Sequence, residues 1–106
     1  MILKVVTSSG DYSEVYGIDV NKIISFNTGG SLTKLNLVFD SGYINQNQVI
    51  SLTITSGKAN EVIECINNAI GKGHTGRRFT VTLFDKYSNY KCCNDITDVA
   101  VKTRSI

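Results

Sequence analysis

The chain has 106 residues, within the range of a single domain, and no shift in composition along it marks a boundary. Hydrophobic residues make up 42% and charged residues 19%, which suits a folded core and excludes a disordered chain. A formal net charge of +2 is too small to imply a nucleic-acid or membrane partner by itself, and no apolar run of about 18 residues is present to span a bilayer.

Residues 2–7, ILKVVT, read as a strand, and the apolar part of this start is too short for a signal peptide. The turn SSGD leads to a second strand over 13–20, and NKIISF at 21–26 runs into the strong turn NTGG at 27–30. SLTKLNLVFD at 31–40 alternates cleanly, with Leu35, Leu37 and Phe39 on one face and Lys34 and Asn36 on the other. After DSG at 40–42 and a polar stretch at 43–48, VISLTITS at 49–56 places Ile50, Leu52 and Ile54 opposite Ser51, Thr53 and Thr55. Strands of this kind belong to a mostly antiparallel sheet with one dry face.

The period then changes. Ala59, Val62, Ile63, Ile66, Ala69 and Ile70 recur at helical spacing, with Asn60, Glu61, Glu64, Asn67 and Asn68 on the opposite side. The pattern predicts one amphipathic helix over about 57–70, with Ser56 as N-cap and Gly71 as the left-handed residue that ends it. A loop follows at 71–78, then a strand at 79–85 with Phe79, Val81 and Leu83 on one face. Residues 86–95 read as a loop or hairpin, and 96–103 as a last strand with Val99 and Val101 on one face. The expected fold is α+β, a mostly antiparallel twisted sheet or partial barrel of about seven strands packed on a single helix.

Gly57-Lys58 invites comparison with a phosphate-binding loop. Such a loop needs an earlier glycine in register and Ser or Thr after the Lys, whereas Ala59 follows here. Gly71-Lys72-Gly73 stands behind the expected helix, at the wrong end for a phosphate. The basic loop GKGHTGRR carries Lys72, His74, Arg77 and Arg78 among three glycines, and Tyr87 and Tyr90 alternate with Lys86 and Lys91. Together they make a candidate surface for an anion or a nucleic acid, through charge and through ring stacking. Solvated loop charges and ordinary hairpin tyrosines are the plain alternative.

Three cysteines, Cys65, Cys92 and Cys93, have no framework spacing and fit free thiols in a reducing compartment. If 92 and 93 lay in a strand, their side chains would point to opposite faces, so no metal site is expected. The single histidine, His74, has no carboxylate near it in sequence, and no acid, base and orienter can be named for an enzyme.

Three stretches, YGIDVNKIISF at 16–26, LTITSGKANEVIECINNAI at 52–70 and DITDVAVK at 95–102, resemble small proteins of marine tailed phages, cyanophage-like ones in particular. The resemblance implies a phage-type, non-catalytic protein, a virion component or accessory factor found in the infected host's cytoplasm or the virion and not secreted. It carries no cofactor and no activity to transfer.

The expectation is therefore a homo-oligomeric binding or assembly module that uses its first and last strands and the basic loop. The alternative is a monomeric ligand-recognition domain, pleckstrin-like or a small barrel, that binds a phosphorylated or nucleic-acid ligand through residues 71–78. A membrane partner is not expected.

Overall fold

The computed structural model describes residues 1–7 and 14–105, so the turn expected at 8–11 lies outside it. Among the described residues there are eight strands and one α-helix. In chain order they are β1 (Ile2–Val6), β2 (Val15–Asp19), β3 (Ile23–Asn27), β4 (Lys34–Asp40), β5 (Gln46–Ile54), α1 (Ala59–Thr75), β6 (Thr80–Asp85), β7 (Tyr90–Lys91) and β8 (Ile96–Ser105). A single 3-10 turn, Val20–Lys22, joins β2 to β3, and the Asp19 carboxylate accepts the Asn21 N–H at its start.

The α+β class with mostly antiparallel pairing holds. The strands form two sheets of four, ordered β2-β1-β6-β7 and β3-β4-β5-β8, and β1 with β6 is the one parallel pair. A parallel neighbour requires a crossover, and the chain makes it through β2, through β3, β4 and β5 of the second sheet, and through the helix. Two differences from the sequence reading follow directly. The count exceeds seven because the 86–95 hairpin contains the two-residue β7, and the polar stretch at 46–48 is the start of β5. Asn47 and Gln48 are paired between β4 and β8 and Gln46 with β8 alone, so those amides and carbonyls need no apolar side chains to stay in a ladder.

Alternation in the second sheet is as the sequence dictates. Leu35 faces Leu52, which in turn faces Val99, and Leu37 faces Ile50. These side chains join Leu3, Val5 and Leu83 of the first sheet and Val62 and Ile66 of the helix in one buried cluster. The opposite face is drier than expected, because the register sets Val38 against Val49 and each shields the other. Phe79 departs from the reading altogether: it precedes β6 and is exposed rather than facing inward with Leu83.

The helix is the main correction. It runs from Ala59 to Thr75, not over 57–70, and Ser56 does not cap it. Instead, residues 55–58 form a turn closed by the Lys58 N–H to the Thr55 carbonyl at 3.1 Å, with Gly57 at φ 76°. Glycine meets that conformation without a steric penalty, which draws Ser56 away from the helix start. Nor does Gly71 end the helix. The chain continues through Gly73 to a Schellman-type close, in which the Arg78 N–H reaches the Gly73 carbonyl at 2.9 Å and the Arg77 N–H reaches His74 at 3.1 Å. The left-handed residue of that motif is Arg77, at φ 55°, where glycine is usual.

Candidate functional site

Two places carry unusual arrangements: the corner where α1 meets β7, and the free edge at β3.

Lengthening the helix changes the meaning of the basic segment. Lys72 and His74 lie in its last turn, and Arg77 and Arg78 form its close. Cations there complement the negative end of the helix dipole, a structural use that needs no ligand. Of the six residues singled out in the sequence, Lys72, Arg78 and Tyr90 do line one groove, of about 680 Å³, together with Asp85, Ser88 and Cys92. His74, Arg77 and Tyr87 are not among the residues that line it.

Asp85 tempers the groove's positive charge. Its carboxylate accepts the N–H groups of Tyr87 and Ser88, at 3.0 and 3.1 Å, and so builds the β6–β7 turn. The Ser88 backbone bond is the chief cause that holds this carboxyl below its ordinary value of 3.8. Asp98 is lowered likewise, first by the Val99 N–H and then by Lys86, whose ammonium lies 3.2 Å away. Both carboxylates are engaged in shaping turns and strands.

The free-thiol reading holds for Cys92 and is overturned for Cys65 and Cys93. Cys65, on the helix, is bonded to Cys93 as a disulfide, and among the described residues only Cys92 is a free cysteine. Residues 92 and 93 form a bend after β7, so strand alternation does not separate them. The Cys92 and Cys93 sulfurs lie 3.3 Å apart, and all three sulfurs fall within 4.8 Å of one another. Burial pushes the Cys92 thiol up to about 11, so at neutral pH it is protonated and a poor nucleophile. Spacing in sequence, 28 residues from Cys65 to Cys93, gave no sign of this cluster. A helix docked against a hairpin creates it.

At the other side of the molecule, β3 is an outer strand of its sheet and all five of its residues are exposed. Ile24 and Phe26 each retain 56% of their accessible surface, and Ile23 is exposed beside them. The strand contains neither charge nor proline; a bulge at Ile24 is its single protective feature. By contrast β8, the opposite edge, carries Asp98, Lys102 and Arg104. The first strand, expected to be a contact surface, is central instead, between β2 and β6.

No protein-family model, no curated protein and no solved structure significantly matches the chain. No helix among the described residues is long and apolar enough to cross a membrane.

Proposed function

We propose that the chain is a non-catalytic assembly module of phage type, a virion component or accessory protein, which forms a homo-oligomer by pairing β3 with β3 of a second copy. The observation that carries this reading is the exposed, uncharged β3 edge with Ile23, Ile24 and Phe26 outermost. Such an edge offers unpaired N–H and C=O groups and apolar surface together, which favours strand addition. An antiparallel pair centred on Ser25 sets Ile24 of one copy against Phe26 of the other. This is an isologous contact, and it closes at the dimer. The charged β8 edge opposes continued growth into fibres.

A second reading has one observation in its favour, the groove shared by Lys72, Arg78 and Tyr90. It makes the protein a monomeric ligand-recognition domain, a small or partial barrel that holds a phosphorylated or nucleic-acid ligand there. The Asp85 carboxylate and the helix C-terminal carbonyls both disfavour an anion in that groove, which is why assembly is preferred.

The variant Ile24→Lys with Phe26→Lys separates the two. It should leave the far-ultraviolet circular dichroism unchanged and yield a monomer. Arg77→Ala with Arg78→Ala should leave the oligomer intact. If the edge variant keeps its oligomeric mass, β3 is not the interface. If short anionic oligonucleotides bind, weaken with salt and are lost in the arginine variant, the second reading replaces the first.

A further inference from the structure

The α1–β7 corner brings together three sulfurs from two separate elements at the spacing of a metal-thiolate set. Cys65 comes from the helix, and Cys92 and Cys93 from the bend after β7. Zinc-type sites with metal–sulfur bonds of about 2.3 Å require sulfurs about 3.8 Å apart. The sulfurs here all lie within 4.8 Å, with Cys92 to Cys93 at 3.3 Å, so opening the Cys65–Cys93 bond needs only a small side-chain shift to reach that spacing.

We propose that, once reduced, the protein binds one soft divalent cation of the zinc class through the thiolates of Cys65, Cys92 and Cys93. The Cys65–Cys93 disulfide is then the oxidised, metal-free form of the same site. Thiolates select this class of ion over magnesium or calcium, which take oxygen ligands. Cys93 is 4% exposed, while Cys65 and Cys92 are half-buried and both line a second groove, of about 880 Å³, through which an ion can enter. Glu61 and Glu64 line that groove and offer a carboxylate for the fourth position, with water as the alternative. Lys72 lines it too and offsets the single net negative charge of a divalent ion with three thiolates.

The chemistry balances in two steps. A dithiol or phosphine reductant gives two electrons to the disulfide, and with two protons Cys65 and Cys93 become thiols while the reductant is oxidised. The cation then displaces three protons, one from each thiol, and forms three metal–sulfur bonds.

The test uses the full chain, reduced with a phosphine that is then removed, and titrated with Cd²⁺ as an optical probe of thiolate ligation. The expected result is a thiolate-to-metal charge-transfer band that saturates at one equivalent, with none in the untreated disulfide form. Cys92→Ser, which leaves the disulfide partners in place, should shrink the band by about a third and weaken binding by about a hundredfold or more, since even losing an outer-shell partner costs about 10–100-fold. Zn²⁺ should also protect all three cysteines of the reduced chain from alkylation, read by mass spectrometry with or without a stable fold. A reduced chain that shows no saturating band overturns the proposal. So do Zn²⁺-independent alkylation of the three cysteines and a Cys92→Ser band equal to that of the wild type.

Discussion

Gly73 is buried where the helix packs on the first sheet. A Cβ built there would lie 2.6 Å from Cγ2 of Val81 and 3.0 Å from Cε of Met1. Met1 can swing aside, but a β-branched valine is stiff at χ1 and yields less easily. Gly73→Ala should therefore destabilise the fold by about 1–3 kcal/mol, despite alanine's better helix propensity. Gly71, two residues earlier in the same helix, has open space around it, and Gly71→Ala should stabilise by about 0.5–1 kcal/mol. Urea denaturation of the two variants reads the opposite signs, and equal signs would contradict the close packing.

Arg77 poses the converse problem, a bulky residue at φ 55°. Arg77→Gly and Arg77→Ala lose the same charge, so the difference between them isolates the backbone. Glycine should be the more stable by about 1 kcal/mol. A thermal unfolding comparison in which alanine matches or exceeds glycine would place Arg77 outside the left-handed region. The sequence offered Gly71 for this role because glycine is the usual choice there. The motif closes six residues later, where the Arg78 N–H reaches the Gly73 carbonyl and the Arg77 N–H reaches that of His74.

At the level of elements, the sequence was most legible where one face is buried. The inward faces of β4 and β5 and the Val62–Ile66 stripe of α1 appear as the pattern demanded, and in the strands a one-residue slip would turn the apolar set to solvent. Legibility failed where neighbours in space decide. Gln46, Asn47 and Gln48 belong to a polar stretch whose pattern assigns it to no strand, yet they extend β5, and the two adjacent cysteines of the 86–95 loop or hairpin form a bend that local pattern does not specify. The same limit hid the thiol cluster and the exposure of β3, since neither a 28-residue separation nor an edge position leaves a mark on local periodicity.

The β6–β7 turn supplies an acid-sensitive element. Asp85 and Asp98 both titrate below their ordinary value of 3.8 in the folded chain. The unfolded chain thus binds more protons as the pH falls, and the stability these groups supply is complete above that value and lost through the folded ones. The stability advantage of the wild type over Asp85→Asn should be constant above about pH 5 and shrink as the pH falls through 3.8 and below, as the carboxylate that holds Tyr87 and Ser88 becomes protonated. A gap in urea midpoint that stays constant through that fall would mean the ionised carboxylate is not what anchors the turn.

For the whole molecule, the two sheets and the helix share one core in a nearly isometric body of 34 × 33 × 30 Å, whose radius of gyration is 13.3 Å. That compactness leaves surface as the means of association, and the surface is unevenly guarded. Charges cover β8, helix-end cations cover the close of α1, and β3 presents isoleucine and phenylalanine with one bulge for protection. An assembly held by this edge depends on main-chain pairing and apolar contact, neither of which salt weakens appreciably. The most direct measurement is molar mass in solution, by size-exclusion chromatography with light scattering at low and high salt. Pairing through β3 predicts twice the chain mass of 11.6 kDa in both conditions. A monomer in both would contradict it.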